Sequence, residues 1–227
     1  MHKEEDYYKS KKSNFFNQFD GFCKRIGILL EKKYGKEFKE DIMVEIKEEY
    51  KSLYEEMPYI GGDKNFLTVD LISAAEYLSF YKVLKRYDKP LTDIGELSYN
   101  AQEKAFKDHP ESVPQMTNPE SIPYMKYAAN ISREKRFSGD WVYEFIDGSK
   151  IFDLGMDFTE CGIQKLYHKY NADEFTPYLC AMDILMSECG NLGLHRTETL
   201  AEGGNKCDFR YKSGRKTEIT NSVIKTD

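Results

Sequence analysis

The chain of 227 residues is 40% hydrophobic and 14% aromatic, which is enough apolar material to bury a sizeable core. Its net charge of −6 and pI near 5.4 argue against a general nucleic-acid binder, because phosphate recognition normally needs a basic face. The N-terminal stretch from Met1 to Asp6 contains four charged residues, and no run approaches the ~18 apolar residues of a membrane span. We therefore expect a cytoplasmic protein that binds neither nucleic acid nor membranes.

The first half of the sequence shows the three- and four-residue apolar spacing of amphipathic helices. This spacing predicts four helices, over residues 13–34, 36–56, 67–86 and 91–108. Ser13 is the expected N-cap of the first helix and Gly35 its end. Four prolines between residues 109 and 123 predict an irregular connector, because proline removes a backbone donor. A short helix is expected over residues 124–134.

After Gly139 the apolar spacing changes to the two-residue alternation of strands. Trp141, Tyr143 and Phe145 alternate with their neighbours, and a turn at Asp147-Gly148 then predicts a β-hairpin ending near residue 158. Thr159 is the expected N-cap of the helix that follows, which places Cys161 in the first turn of that helix.

A further helix is predicted to begin at Thr176-Pro177, where a capping hydroxyl precedes a proline at the first helical position. Cys180 and Asp183 are three residues apart in it, so they are expected to share one face. Their proximity would then follow from local geometry alone.

Residues 192–201 and 206–212 predict a second hairpin around Gly203-Gly204. A tight turn at this glycine pair would place four pairs opposite each other: Leu200 with Cys207, Glu198 with Phe209 and Arg196 with Tyr211 on one face, and Thr199 with Asp208 on the other. From Ser213 onward the polar residues show no stable period, which predicts a loose tail.

These elements predict an α+β protein whose helices pack on an antiparallel sheet. We expect one compact domain over residues 1–227. Within it, residues 1–135 form a helical half, residues 140–212 form an α+β half of two β-hairpins and two helices that carries the site, and residues 213–227 form the loose tail.

Four of the five cysteines lie between Thr159 and Phe209. An odd number of cysteines in a chain with a moderate core predicts reduced thiols. Cys161 is the best candidate nucleophile, because N–H groups at a helix start lower a thiol pKa. Cys180 beside Asp183 is the second candidate. For both thiols the alternative is a small buried hydrophobic residue.

A metal site is a further alternative. Cys161, Cys180 and Cys207 would be zinc ligands together with one of three other side chains, His168, His195 or Asp183. The sequence lacks the C-x-x-C and H-x-x-x-H spacings typical of such sites, so we expect no metal and no cofactor. Cys207 and Asp208 follow each other on a strand and point to opposite faces, so one of them is expected to be structural.

Three runs in this region carry a resemblance: TEC at residues 159–161, TPYLCAMD at 176–183 and HRTETLAEGGNKCDF at 195–209. In order and spacing they resemble the C-terminal half of the L-2-amino-thiazoline-4-carboxylic acid hydrolase family. The resemblance implies a hydrolase that opens a small cyclic amidine or isothiourea, such as L-2-amino-thiazoline-4-carboxylate, to a carbamoyl-cysteine product.

Such a substrate needs a nucleophile, a carboxylate for its basic nitrogen and a guanidinium for its carboxylate. On this basis the catalytic candidates are Cys161, Cys180 and Asp183, and the substrate-binding candidates are Arg196, Thr199, Cys207 and Asp208. The expected partner is a small-molecule substrate, and a homo-oligomer is left open. The alternative function is a non-catalytic module that senses a small ligand or a metal, and the residues alone do not decide whether the protein is an enzyme.

Overall fold

The computed structural model describes residues 2–220 and 222–224. Its contacts divide the chain into two compact units, Met1–Ala101 and Gln102–Asp227. The expectation of a single domain stays a prediction. No helix in the described part of the chain is long and apolar enough to cross a membrane.

The first unit is built from helices. They are α1 (His2–Tyr34), α2 (Lys36–Glu55), α3 (Leu67–Arg86) and the first part of α4 (Leu91–Asp108). All four predicted helices are present, but α1 begins well before Ser13. The additional turns are held by Tyr8, which is buried and donates a hydrogen bond to the carbonyl of Pro58 at 2.9 Å. Gly35 ends α1 with a φ of 90°, a value that L side chains rarely adopt.

Helix α3 forms the centre of the first unit. Most of its residues are buried, and it packs against α2. Aromatic rings fill the adjacent space, and Phe19 and Tyr50 stack with their centroids 3.8 Å apart. The most apolar of the N-terminal helices is therefore also the most buried of them, as its composition predicts.

The second unit combines helices with one sheet, which confirms the predicted α+β class. Its helices are the end of α4, α5 (Ile122–Ser132), α6 (Gly162–Lys169), α7 (Thr176–Cys180) and α8 (Met182–Cys189). Its strands are β1 (Val142–Asp147), β2 (Leu154–Glu160), β3 (Leu194–Arg196), β4 (Cys207–Tyr211) and β5 (Glu218–Ile219). The strand order is β1-β2-β4-β3-β5, and all pairs are antiparallel except β3 with β5.

The predicted first hairpin is present, but the helix start after it is not where the sequence indicated. Strand β2 continues through Thr159 to Glu160, because Glu160 still pairs with Val142 of β1. Cys161 is therefore the N-cap of α6, with φ −115° and ψ 122°, and Thr159 is part of the strand. The expectation of Thr159 as N-cap was wrong, since sheet pairing outweighed the local capping signal.

The helix predicted to begin at Thr176 forms as two short helices, α7 and α8, with Ala181 between them. Thr176 is the first residue of α7, and its buried hydroxyl has no hydrogen-bond partner among the described residues, so it does not act as a cap. Cys180 and Asp183 lie on the two sides of the break at Ala181. Their proximity consequently depends on the bend as well as on helical spacing.

The register predicted for the second hairpin was wrong. Tyr211 pairs with Leu194, two residues before Arg196. The predicted tight turn is replaced by a longer connection with a 3-10 turn at Leu200–Glu202, which Thr199 caps by accepting a hydrogen bond from the Glu202 N–H at 3.3 Å. A turn of this length moves the register, because hairpin register follows from loop length.

The tail predicted from Ser213 contains a strand. In β5, Glu218 pairs with His195 and Ile219 with Arg196, and the N–H of Thr220 donates to the Arg196 carbonyl at 3.0 Å. So short a pairing leaves no periodic signal in the sequence. It adds a parallel edge strand beside β3 and thereby covers the backbone of Arg196.

Candidate active site

Cys161 lies where β2 ends and α6 begins. The residue after it is Gly162, at which a Cβ atom would come within 2.6 Å of the Trp141 ring. Only glycine therefore permits the indole to lie directly against the start of α6. The indole also lies near enough to the Cys161 sulfur to act against the rise in the pKa of the thiol.

Three N–H groups near the Cys161 sulfur act to lower its pKa. They are the backbone groups of Ile163 and Gln164, in the first turn of α6, and the indole of Trp141. Burial raises the pKa of the Cys161 thiol above its ordinary value, the negative charge of Asp183 raises it further, and the three donors oppose this change. A thiolate formed here is thus stabilised by donors already in place.

A buried ion pair lies beside this thiol. Arg196, at the end of β3, is 1% exposed, and its guanidinium donates to the Asp183 carboxylate and, at 3.1 Å, to the Cys180 carbonyl. The guanidinium also lies over the Phe209 ring at 5.4 Å. The Asp183 side chain is 27% exposed. Asp183 is therefore held by a buried cation on one side and remains partly open to solvent.

Three thiols converge around this ion pair. Cys180 is close enough to Asp183, Cys161 and Cys207 for their negative charges to affect its pKa, which burial and these charges raise well above the ordinary value despite the opposing Arg196. Burial also raises the pKa of Cys207 to about 12, against an opposing hydrogen bond from the Leu200 N–H at 3.3 Å. Of the three thiols, Cys161 has the most N–H groups that act to lower its pKa, so it is the best nucleophile candidate.

Cys161 opens into a surface depression of about 340 Å³. The depression is lined by Thr159, Glu160, Cys161, Gln164, Lys165, His168 and Asp173. His168, exposed as expected, has its Nδ1 atom 2.9 Å from the Asp173 carboxylate. Sequence reasoning missed Trp141, Gln164 and Lys165. For the last two a signal existed, because residues three and four positions after Cys161 on a helix lie on its own face.

The structure brings together Cys161, Cys180, Asp183, Arg196 and Cys207. The other two substrate-binding candidates, Thr199 and Asp208, make hydrogen bonds outside this group. The Thr199 hydroxyl donates to the Glu202 carboxylate at 2.8 Å, and Asp208 accepts from the backbone N–H groups of Thr197 and Glu198 at 2.8 and 2.9 Å. The predicted pairing of Thr199 with Asp208 was wrong, and the hydrogen bonds of both residues hold the connection between β3 and β4.

All five cysteines are free thiols. Within residues 2–220 and 222–224, no group of three or more His, Cys, Asp or Glu side chains is arranged to hold a metal ion. The three converging thiols therefore do not form the zinc site considered above. The expectation of no metal and no cofactor stays a prediction.

The comparisons with known proteins agree with the resemblance in the sequence. The family model described as L-2-amino-thiazoline-4-carboxylic acid hydrolase matches residues 71–211. The matched range includes every residue of the thiol cluster and of the depression. Searches of curated proteins and of solved structures returned no match.

Proposed function

The chain belongs to the L-2-amino-thiazoline-4-carboxylic acid hydrolase family, and on this premise we propose that it opens a small cyclic amidine such as L-2-amino-thiazoline-4-carboxylate to a carbamoyl-cysteine product. The family name supports hydrolase activity. The observation that carries the assignment to a site is Cys161, a thiol that lines an open depression and lies beside three N–H groups that act to lower its pKa.

In the first step the Cys161 thiolate attacks the ring carbon that is bonded to one sulfur and two nitrogens. The new C–S bond forms as the ring C–S bond breaks, and the released substrate sulfur takes up a proton. This leaves the substrate joined to Cys161 as an open-chain isothiourea. The donors around Cys161 are placed to stabilise the negative charge that moves between the two sulfurs.

In the second step one water molecule adds to the same carbon. The bond to Cys161 breaks, the thiolate is regenerated, and the carbon leaves as the carbonyl of a carbamoyl group. The sum of both steps is one water added to one ring, with no change in oxidation state. No group outside the protein, the substrate and water is needed to balance the reaction.

Asp183 is the residue we assign to proton transfer. Burial raises the pKa of its carboxyl group, with the charge and hydrogen bond of Arg196 opposing, which suits a group that accepts a proton from a thiol and returns it. Arg196 is committed to Asp183 and is buried, so we assign it to positioning this carboxylate. In the proposed mechanism Arg196 does not bind the substrate carboxylate, which was its predicted role.

The test is turnover of L-2-amino-thiazoline-4-carboxylate by purified variants. Cys161→Ser is expected to lower kcat/KM about a thousandfold or more, because the hydroxyl is a much weaker nucleophile. Cys189→Ser is the matched control, since Cys189 is exposed at the end of α8, and it is expected to keep full activity. Intact-mass measurement during turnover is expected to show the covalent adduct in the wild type and to lack it in Cys161→Ser.

Two outcomes would overturn parts of this proposal. Full activity in Cys161→Ser, with activity lost in Asp183→Asn, would replace the covalent route by direct attack of water. If the wild-type protein binds cyclic isothioureas without opening them, the proposed hydrolase function is wrong and the protein is a ligand-binding module.

A further inference from the structure

A substrate with a carboxylate needs a cation in the depression, and Arg196 is not available for it. Arg196 is buried and donates to Asp183 and to the Cys180 carbonyl. The substrate carboxylate could bind Arg196 only by displacing Asp183. Asp183 would then lose its counter-charge inside the protein, which is costly. Another side chain must therefore recognise the substrate carboxylate.

Lys165 lines the same depression as Cys161 and lies one helical turn after it on α6. Its Nζ atom is held by the Glu160 carboxylate at 2.5 Å and by the Asp140 carbonyl at 2.7 Å. An ammonium group has three N–H donors, so these two acceptors leave one donor for a ligand. The ammonium group is thus fixed in position before a ligand arrives.

The local charge also favours an anion. Glu160 is shared by Lys165 and Lys135, whose Nζ atom is 2.5 Å from the carboxylate. Both lysines hold the pKa of Glu160 below its ordinary value, so the carboxylate stays ionised. Two ammonium groups around one carboxylate leave one net positive charge beside Glu160, and the Asp173 carboxylate, which also lines the depression, lies against His168 Nδ1.

The spacing fits a small ring. Residues four apart on a helix are about 6 Å apart along its axis. A five-membered ring with its reacting carbon at Cys161 directs a carboxyl group on the opposite side of the ring toward the next helical turn. We propose that Lys165 binds the carboxylate of the substrate and makes the site selective for cyclic amidines that carry one. This inference rests on the proposed function.

The test compares two compounds, 2-amino-thiazoline-4-carboxylate and 2-amino-thiazoline, which lacks the carboxylate. The wild type is expected to prefer the carboxylated compound. Lys165→Met is expected to raise KM for it by about 10- to 100-fold, the effect of losing one charge-assisted hydrogen bond, with kcat little changed. Turnover of the compound without the carboxylate is expected to stay the same.

Lys169→Met is the matched control, because Lys169 lies one turn further along α6 and does not line the depression. It is expected to leave both compounds unaffected. Should Lys165→Met fail to fold, Lys165→Gln carries the same test, since its amide can still donate to the Asp140 carbonyl without the positive charge.

The outcomes separate the two proposals. If the wild type opens both compounds and Lys165→Met keeps the preference for the carboxylate, the assignment of Lys165 is wrong and the hydrolase remains. An equal loss of activity on both compounds in Lys165→Met likewise shows that Lys165 has a structural role only. If the wild type opens neither compound, the proposed function fails and the assignment fails with it.

Discussion

Each unit of the molecule contains a carboxyl group whose pKa is raised by desolvation, but the surroundings of the two groups differ. In the helical unit Glu76 of α3 is 3% exposed, and its Oε1 atom has no hydrogen-bond partner in the described part of the chain. In the α+β unit Asp183 is partly exposed and accepts a hydrogen bond from the buried Arg196. Within the residues that the structure describes, Glu76 is therefore buried with an unpaired carboxylate oxygen, whereas Asp183 is hydrogen-bonded and partly accessible to solvent.

The surroundings of Glu76 are not those of a site for chemistry. Burial raises its pKa to about 8, against an opposing charge on Arg25. Buried Arg25 Nε and Tyr50 Oη, like Glu76 Oε1, have no hydrogen-bond partner among the residues described. A buried polar group without a partner costs stability. Glu76 is therefore a cost to the fold of the helical unit, whereas Asp183 is oriented by its partner and can be reached from solvent.

The difference has a structural origin. Asp183 lies on α8 and Arg196 on β3, and the chain between these elements is short, so a helix and a strand converge from different directions on one point. Helices that pack side by side meet along ridges of mostly apolar side chains. Such packing buries Glu76 and leaves its Oε1 atom without a hydrogen-bond partner among the described residues.

The largest expected effect on stability comes from separating the ion pair of the α+β unit. Asp183→Asn leaves the Arg196 charge buried without its counter-charge, and we expect it to lower the free energy of unfolding by about 3–5 kcal/mol. Urea denaturation measures this change. The double variant Asp183→Asn with Arg196→Met is expected to recover part of the loss, because it removes the unpaired charge. Strictly additive costs of the two substitutions would show that the pair is not coupled.

In the helical unit the matching experiment removes core volume. Leu78→Ala, at a fully buried position of α3, is expected to cost about 2–5 kcal/mol of unfolding free energy and to leave kcat/KM of the folded protein unchanged. Val69→Ala on the same helix is the control, since Val69 is 53% exposed and little stability should be lost. Activity lost in Leu78→Ala at unchanged stability would place the site in the helical unit.

The smallest expected effect concerns the pH dependence caused by Glu76. The folded-state pKa of about 8 lies above the ordinary value of 4.5, so the folded protein holds this proton more tightly than the unfolded chain. The stability that this tighter proton binding adds to the fold is fully present below pH 4.5. It is lost as the pH rises to about 8. Glu76→Gln is expected to remove this slope and to raise the free energy of unfolding above pH 8 by about 1–3 kcal/mol.

Denaturation of the wild type and Glu76→Gln at pH 5 and pH 8.5 measures this difference. Glu48→Gln is the control, because Glu48 is an exposed residue of α2 and should leave the slope in place. Parallel stability curves for the wild type and Glu76→Gln would show that Glu76 stays ionised in the fold.

The sequence by itself determined the helices, the family and the first candidate nucleophile. The bounds of α3 and α4 agree with those predicted. Helix hydrogen bonds join residues four apart, so the apolar spacing of a helix is visible within a short stretch of sequence. The position of Cys161 next to a helix start was also readable, although the cap itself was assigned to Thr159. These are properties of short, continuous stretches of chain.

Only the tertiary structure decided how the site is assembled. The register of β3 on β4, the strand β5 and the extension of β2 to Glu160 depend on pairing between distant segments, which no local period encodes. The same holds for Arg196, whose partner in the fold is the Asp183 carboxylate on α8. A buried charge takes whichever counter-charge the packed elements bring to it, so its role follows from tertiary contacts and not from residue type.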